Sequence, residues 1–404
     1  MGIVIRPGPR TATLLTLMLP APEARPVVQI GPLKLDPPVV LAPMAGVTDA
    51  PFRVLCSSFG GGLFVNQMVT ARALLEGHAS SWELTRCHPA AKVRSLQLYG
   101  TDPVTLGEAV RRLVGEDRVD HIDMNFGCPA PKVTRNGGGA ALPFKRHLLR
   151  EVIRSAVRAA EGESTGAQSV PVTVKFRLGI DDDHLTYRDT ALIAEEEGAA
   201  AVALHARTAL QHYAPSAHWE RIAELKGLVR TIPVFGNGDV FSADDALSMM
   251  STTGCDGVVV GRGCLGRPWL FRDLDAAFAG EPIPDAPRLG EVVAVIRRHL
   301  ELIIEWQGGE DRLNHFRKHL AWYLKGYAIG GGVRGRAALV STMDEVNSLL
   351  DELDPDLEAP EGVEKINRSH SSAQRRVALP DGWLDDPDQI VALPRGAEAL
   401  VSGG

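Results

Sequence analysis

Short apolar segments alternate with amphipathic segments over most of the chain. Eight apolar runs, each closed by glycine, proline or polar residues, occupy 39–49, 61–69, 94–100, 119–129, 170–179, 199–207, 232–239 and 255–263. Nearly continuous apolar strands that alternate with helices are typical of a parallel sheet covered on both faces, and eight such units close a barrel. The pattern therefore predicts an α/β fold, a (β/α)8 TIM barrel over 26–285.

The pattern changes after the barrel. Residues 279–287, "AGEPIPDAP", contain three prolines and no periodicity, as a linker does. From 288 to 353 apolar residues recur at helical spacing, which predicts a small all-helical domain. We expect a flexible leader over 1–25 and a largely irregular C-terminal tail over 354–404, within which "RRVALPDGWLD" packs locally.

Composition changes this picture little. The chain has 404 residues, of which 45% are hydrophobic and 23% charged, values that exclude global disorder and a membrane fold. Its five cysteines are odd in number and show no CxxC pair, which argues against a disulfide framework and a zinc site. The apolar run within 10–24 is too short to span a bilayer, although export is the alternative. We expect a cytoplasmic monomer with no metal and no membrane partner.

Polar residues close the predicted strands. In a parallel barrel the catalytic groups come from the C-terminal ends of the strands. A single Gln or His at such a place is more often structural than catalytic, but ten polar residues on one rim indicate a functional site. They are Gln97, Asn125, Cys128, Lys175, Arg177, His205, Arg207, Asn237, Asp239 and Arg262.

The seventh and eighth strands end in the glycine-rich turns "GNGD" (236–239) and "GRG" (261–263). Backbone N–H groups in such turns can surround a phosphate, and Arg262 adds a fixed positive charge. Barrels commonly bind phosphate after these two strands, so a phosphorylated cofactor is implied, with two ordinary tight turns as the alternative.

Two cations share one side of the fifth strand. Lys175 and Arg177 are two residues apart, so both point to the same side, and an inward cation at a barrel mouth needs an anionic partner. A reduced flavin offers negative charge near N1 and the C2 carbonyl. An internal salt bridge to Asp239 or Asp123 is the other interpretation.

These segments together resemble the tRNA-dihydrouridine synthases, flavin enzymes that reduce uridines in tRNA. The resemblance covers about residues 30 to 350 and is greatest to the bacterial B-type branch, because "RKHLAWYLKG" (317–326) also fits. It departs at Gln67, where the family usually has an acidic residue. The matching segments are "APMAGVTDAPFR" (42–53), "LQLYG" (96–100), "DMNFGCPAPKVTRNGGGAAL" (123–142), "VKFRLG" (174–179), "HART" (205–208), "GNGD" (236–239) and "GRGCLGRPWLF" (261–271).

The resemblance implies an FMN site and an RNA substrate, with NADPH or NADH as the reductant. The FMN-binding residues would be Pro43, Met44, Ala45, Gln97, Lys175, His205, Asn237, Gly238, Asp239, Gly261 and Arg262. The substrate-binding residues would be Asn125, Arg177, Arg207, Lys132, Arg317 and Lys318. The reaction implied is reduction of specific tRNA uridines to 5,6-dihydrouridine.

Cys128 then acquires a chemical role. Reduction of the uracil C5–C6 double bond requires a hydride at C6, which flavin N5 supplies, and a proton at C5. A thiol with an ordinary pKa near 8.5 is mostly protonated at pH 7 and can donate one proton. Gly127 and Pro129 would hold Cys128 clear of the barrel core. An inert small hydrophobic residue is the alternative.

The formal net charge of −7 disfavours a nucleic-acid partner, but the charge is unevenly distributed. Residues 312–336 carry six Lys or Arg and no Asp or Glu, and His315, Lys318, Trp322 and Lys325 fall along one predicted helical stripe. Such a stripe suits RNA, although a solvated face is equally typical. Two other functions remain open: an FMN barrel that reduces a free pyrimidine or an enoate, and an RNA-binding protein that uses the barrel as a scaffold.

Overall fold

The computed structural model describes residues 27–162, 169–309, 313–366, 368 and 376–391. The leader predicted over 1–25 lies outside these residues, as does Arg312 of the basic segment. Within the described ranges, no helix combines the length and the apolar character that crossing a membrane requires.

The eight predicted strands form a closed parallel barrel. The barrel strands are β3 (Val39–Leu41), β4 (Leu63–Phe64), β5 (Val69–Thr70), β6 (Ser95–Tyr99), β7 (His121–Phe126), β8 (Val172–Arg177), β9 (Ala201–His205), β10 (Val234–Asn237) and β11 (Gly257–Val260). The sheet order is β4-β3-β11-β10-β9-β8-β7-β6-β5, and the second predicted strand supplies both edges as two short pieces. Leu63–Phe64 pairs with β3 and Val69–Thr70 pairs with β6, so the chain between them closes the ring. The (β/α)8 prediction is confirmed.

A hairpin that the periodicity did not predict precedes the barrel. Its strands are β1 (Val28–Ile30) and β2 (Leu33–Leu35), joined through Gly31 in the left-handed region at φ +53°. Gly31 lies directly against Pro171, the residue before β8, so a Cβ there would be 2.9 Å from the proline ring. The apolar side chains of the hairpin join the cluster inside the barrel, and the hairpin therefore covers its N-terminal end.

The barrel helices pack outside the sheet and bury one face each, as their three- and four-residue apolar spacing requires. They are α1 (Ala50–Ser57), α2 (Ala71–Leu75), α3 (Ala79–Thr85), α4 (Pro103–Gly115), α5 (Pro131–Thr134), α6 (Arg146–Gly162), α7 (Tyr187–Glu196), α8 (Trp219–Leu228), α9 (Ala243–Thr253) and α10 (Leu270–Phe278). A short 3-10 helix, Gly139–Phe144, lies between α5 and α6.

Within the described residues, four helices follow the proline-rich linker and share a second apolar core. They are α11 (Leu289–Gln307), α12 (Leu313–Tyr323), α13 (Gly330–Ala337) and α14 (Met343–Asp351). Phe52 of α1 packs against His299 and His319, with ring centroids 5.6 and 5.4 Å apart. Burial lowers the pKa of His299 to about 3, so this ring is neutral at pH 7 and packs as an aromatic group between the barrel and the helices.

Asn66 closes the gap between the two pieces of the second strand. Its Oδ1 accepts from the Gln97 N–H at 2.7 Å and its Nδ2 donates to the Leu84 carbonyl at 3.0 Å. Its own N–H donates to the Ser95 carbonyl at 3.2 Å. A buried side chain thus replaces the ladder hydrogen bonds that the break removes.

Replacing Asn66 by Ala is expected to lower the free energy of unfolding by about 1–3 kcal/mol, because the buried Gln97 N–H loses its acceptor. Equilibrium unfolding in urea, followed by circular dichroism, measures this change. Gln29→Ala is the matched control, since that exposed amide bonds only within its own turn and its loss should cost less than about 0.5 kcal/mol. Equal losses in the two variants would contradict the closing role of Asn66.

Candidate active site

A cavity of about 550 Å³ opens at the C-terminal ends of the barrel strands. All eleven residues that the family resemblance assigned to the cofactor line it, together with Cys128, Asn125 and Arg177. Arg207, Lys132, Arg317 and Lys318 do not line it, whereas Trp322 of the helical segment does. The structure therefore brings the predicted cofactor residues and the predicted proton donor together in one cavity, and leaves four of the six predicted substrate residues outside its lining.

A line of hydrogen bonds runs from inside the barrel to the Cys128 loop. Gln97 Nε2 donates to Asp123 Oδ2 at 2.7 Å, and Asn125 Nδ2 donates to Gln97 Oε1 at 2.8 Å. Asn125 Oδ1 then accepts from the N–H groups of Gly127 and Cys128, both at 3.0 Å. The orientation of each amide is consequently fixed by its neighbour.

Asp123 is the buried carboxylate at the inner end of this line of hydrogen bonds. Its other carboxylate oxygen accepts from Thr173 Oγ1 at 2.7 Å, and the same hydroxyl lies 3.0 Å from His121 Nε2. Burial raises the pKa of Asp123 to about 6 against these hydrogen bonds, so the group is mostly ionised at pH 7. Burial lowers the pKa of His121 to about 3, which keeps that ring neutral.

Lys175 points into the cavity from β8. Its ammonium donates to Asn237 Oδ1 at 3.1 Å, and Asn237 Nδ2 donates to the Val259 carbonyl at 2.8 Å. Burial lowers the pKa of Lys175 to about 8, with the nearby Arg177 charge acting in the same direction. Asp123 opposes this shift through space. The lysine is thus a partly buried cation that donates a hydrogen bond to a neutral amide.

Arg207 neutralises Asp239 behind the cavity wall. Its Nη2 lies 2.7 and 2.5 Å from the two carboxylate oxygens, and the Ala217 N–H donates to the same carboxylate at 2.8 Å. Asp239 itself has φ +57°, in the left-handed region. Arg207 is 2% exposed, which removes it from contact with a substrate in this arrangement. By pairing with Asp239, Arg207 holds the turn after β10.

The two glycine-rich turns lie side by side. Gly238 has φ +126°, and a Cβ at Gly263 would lie 2.2 Å from the Val240 carbonyl oxygen, so both positions require glycine. Arg262 reaches Asp239 at 3.4 Å and covers the Tyr213 ring at 4.2 Å from its centroid. The turns and the guanidinium form one wall of the cavity, where the sequence predicted a phosphate.

The cavity carries excess positive charge. Three cations, Lys175, Arg177 and Arg262, line it with one carboxylate, Asp239, among the described residues. Burial and the charges of Arg177 and Lys175 hold the pKa of His205 well below its usual range, so the imidazole is neutral. An anionic ligand would relieve this imbalance.

The Cys128 loop is held from three sides. Besides the two hydrogen bonds that the loop N–H groups donate to Asn125 Oδ1, Arg177 Nε donates to the Gly127 carbonyl at 2.9 Å, and the Ala140 N–H donates to the Cys128 carbonyl at 3.0 Å. Arg177 also donates to the His212 carbonyl at 2.9 Å, so it joins the loops that follow β7 and β9. Burial raises the pKa of the Cys128 thiol, against smaller lowering effects that include the charges of Arg177 and Lys132.

Gln67 supports the opposite wall of the cavity. Its Oε1 accepts from the Gly46 N–H at 2.6 Å, directly after Pro43, Met44 and Ala45. An amide oxygen thus provides the acceptor without a charge, at the position where the sequence departs from the family that it resembles. The Gly46 carbonyl in turn accepts from Lys318 Nζ of α12.

Two arginines of the basic segment 312–336, neither of them in the predicted stripe, are engaged within the helical segments. Arg317 donates to the carbonyls of Val340 and Leu339 at 2.7 and 3.1 Å, and Arg336 pairs with Glu352 at 2.5 Å. Lys325 lies beyond the end of α12, so the predicted four-residue helical stripe is wrong at its last position. Leu313, Phe316, Leu320 and Leu324 are buried in the apolar core of the helical segments.

Tyr213 is a cavity residue that sequence reasoning missed. It stands between Arg262 and Arg177, and 37% of its side chain is exposed at the mouth. The available signal was an aromatic residue in "HARTALQHYAP", the long loop after the sixth strand. Within the parts of the chain that the structure covers, no group of three or more His, Cys, Asp or Glu is placed to hold a metal.

Comparison with known proteins gives consistent matches. A family profile described as "Dihydrouridine synthase (Dus)" matches residues 40–359. "Probable tRNA-dihydrouridine synthase" of Mycobacterium tuberculosis is 55% identical over 95% of this chain and 98% of that protein. "tRNA-dihydrouridine synthase B" of Pseudomonas aeruginosa is 41% identical over 74% of this chain and 87% of that protein. Among solved structures, histamine dehydrogenase from Rhizobium sp. 4-9 aligns with a TM-score of 0.47 at 14% identity, over 81% of this chain and 64% of that chain.

The Cys128 thiol is expected to react with iodoacetamide only at a higher pH than a free cysteine, whose pKa is about 8.5. The thiolate is the reacting form, and burial raises the pKa of this thiol. Peptide mass spectrometry after timed alkylation at a series of pH values measures the rate at Cys128 alone, with glutathione as the reference. A midpoint at or below that of glutathione would contradict the expectation.

Proposed function

Because the chain belongs to the dihydrouridine synthase family, we propose that it is a flavin-dependent oxidoreductase that converts specific tRNA uridines to 5,6-dihydrouridine with NAD(P)H as reductant. Its similarity to the B-type relative supports the same substrate class. The observation that carries the proposal is the position of the Cys128 thiol, in the wall of a cation-rich cavity that also contains the amides and glycine turns suited to a phosphorylated flavin.

The cavity residues fit FMN. The backbone of Pro43, Met44 and Ala45 would face the ring system, with Gln97 and Lys175 as its hydrogen-bond partners and His205 beside it. Asn237, Gly238, Asp239, Gly261 and Arg262 would hold the ribityl chain and the phosphate. When bound, FMN supplies a hydride equivalent to the substrate. The ammonium of Lys175 would offset negative charge on the ring.

Cys128 would serve as the acid for uracil C5. Its burial favours the protonated thiol at pH 7, which is the form that an acid requires. The thiolate left after proton transfer would be stabilised by the nearby Arg177 and Lys132 charges. Because Cys128 is only partly buried, solvent can restore the proton. Asn125, fixed by Gln97, would orient the base or the flavin.

The tRNA would approach over the cavity mouth. Trp322 lines the cavity and Lys318 contacts the adjacent Gly46 loop, so the helical segments meet the substrate where they meet the barrel. Lys132 and the exposed face of α12 would supply phosphate contacts. We place the enzyme in the cytoplasm, as a monomer, where tRNA and nicotinamide dinucleotide are available.

Purified protein should show a flavin absorption band at about 450 nm. It should also form dihydrouridine in tRNA isolated from cells that lack this gene. Sequencing methods that map dihydrouridine identify the modified positions, and NADPH and NADH are supplied separately. Free uridine and a simple enoate are the control substrates. Reduction of either control without reduction of tRNA would contradict the proposal.

Lys175→Ala and Arg262→Ala are each expected to weaken FMN binding about ten- to a hundredfold, since a buried charge-assisted hydrogen bond contributes about 1.5–3 kcal/mol. Because the pKa of Lys175 is lowered to about 8, affinity in the unsubstituted protein should fall as the pH rises through that value, and Lys175→Ala should lack this fall. Quenching of flavin fluorescence measures both effects. Lys34→Ala, at an exposed cation, is the control. Unchanged affinity in both cavity variants would contradict the placement of the cofactor.

Cys128→Ala should separate the two half-reactions. Reduction of the flavin by NADPH should stay close to the normal rate, because this step does not need the thiol. Reoxidation by tRNA should fall about 10²- to 10⁴-fold, the usual contribution of a positioned general acid. Rapid mixing of the reduced variant with tRNA measures the second rate. Cys87→Ala, the other partly buried thiol, is the control. Reoxidation at the unsubstituted rate would show that Cys128 is not the acid.

A further inference from the structure

The C-terminal segment 376–391 packs against the chain that follows the Cys128 loop. Trp383 is 4% exposed, and its indole N–H donates to the Ala141 carbonyl at 2.9 Å. Its ring lies so close to Gly137, which has φ +76°, that a Cβ there would be 2.5 Å from a ring carbon. The indole therefore fills a space that only glycine leaves.

Ion pairs and backbone hydrogen bonds fix the same segment further along. Lys145 is 1% exposed and donates to the Asp386 carbonyl at 2.6 Å and to Gln389 Oε1 at 3.1 Å. The Arg146 N–H donates to the Pro387 carbonyl at 3.0 Å, and the Arg146 guanidinium bonds both oxygens of Asp388 at 2.9 and 2.8 Å. The ammonium of the buried Lys145 finds its hydrogen-bond acceptors in this segment, so the segment is part of the packed fold.

The residues that Trp383 holds also hold Cys128. Ala141 and Gly139 belong to the short 3-10 helix Gly139–Phe144, whose Ala140 N–H donates to the Cys128 carbonyl at 3.0 Å. Gly139 has φ +53°, and a Cβ there would lie 2.5 Å from the Cys128 carbonyl oxygen. A shift of this helix thus changes the backbone position of Cys128 directly, because no side chain lies between them.

We infer that the segment 376–391 positions the proton-donor loop, with Trp383 as the positioning residue that acts on Cys128 through the 3-10 helix Gly139–Phe144. This inference rests on the proposed role of Cys128. The other supports of the loop, Asn125 and Arg177, belong to the barrel strands. The tail supports the loop indirectly, through the 3-10 helix, rather than from a barrel strand.

The experiment uses Trp383→Ala, Trp383→Phe and Ile390→Ala in the full chain. Trp383→Phe keeps a ring over Gly137 and loses the indole N–H, and Ile390 is an exposed tail residue, 89% accessible, whose truncation serves as the control. The first readout is the pH profile of Cys128 alkylation by iodoacetamide, which needs no substrate. The second compares flavin reduction by NADPH with flavin reoxidation by tRNA.

In Trp383→Ala the loosened loop should expose the thiol, so alkylation should become several-fold faster and its midpoint should move to lower pH. Reoxidation by tRNA should fall about ten- to a hundredfold, since misplacing a reacting group by about 1 Å costs about that much, while reduction by NADPH stays within about twofold. Trp383→Phe should reverse most of both changes, the faster alkylation and the slower reoxidation, and Ile390→Ala should show neither.

Unchanged alkylation and unchanged reoxidation in Trp383→Ala, or an equal loss in both half-reactions, would overturn the positioning role and leave the tail with stability alone. Failure of the proposed function looks different. In that case the unsubstituted protein would not be reoxidised by tRNA at all, whereas the alkylation profiles would still report whether Trp383 controls the Cys128 loop.

Discussion

The buried carboxylate of Asp123 sets the direction of the hydrogen bonds on which the site depends. An ionised carboxylate only accepts, so Gln97 must present its Nε2 to Asp123 and its Oε1 to Asn125. Asn125 must then present its Nδ2 to Gln97, which leaves its Oδ1 for the N–H groups of Gly127 and Cys128. A reversed amide anywhere in this line would oppose two donors or two acceptors. The charge at the centre of the barrel thereby fixes the backbone of the loop that carries the thiol.

Charge balance explains why the rim contains so many polar residues with distinct roles. Arg207 neutralises Asp239, so the carboxylate shapes its turn without making the cavity anionic. Lys175, Arg177 and Arg262 then remain as a net positive lining, which burial disfavours until an anion is present. The lowered pKa values of Lys175 and His205 show that burial and the neighbouring cations disfavour the protonated form of each side chain. A phosphorylated, electron-accepting ring system bound in the cavity would relieve this excess of positive charge.

Strand-end residues could be predicted because apolar runs that stop at polar residues mark the rim of a parallel barrel, and nine of the ten polar residues chosen by that rule line the cavity, all except Arg207. Pro43, Met44, Ala45, Gly238 and Gly261 were instead assigned through the family resemblance. The division of the second strand could not, since pieces of two residues are too short to show a period. Hydrogen-bond partners were equally out of reach: "RKHL" indicates positive charge, but only the fold shows that Arg317 is engaged by the Val340 carbonyl. Trp383 gave a weak signal as an isolated aromatic residue in a polar tail, and its contact with Gly137 spans a sequence separation that no local pattern records.

Engagement of the basic segment within the helical region changes how RNA recognition is best understood. Arg317 donates to the Val340 carbonyl and Arg336 pairs with Glu352, so these two charges are engaged within the helical segments. The region therefore does not present a continuous cationic stripe. Lys318 instead contacts the Gly46 carbonyl, and the Gly46 N–H is held by Gln67 on the second strand. The cavity wall that would face the flavin is therefore bonded on one side to the barrel and on the other to α12. An RNA contact at Lys318 or Trp322 would act on this wall directly, so substrate binding and the geometry of the cofactor site share the same few hydrogen bonds.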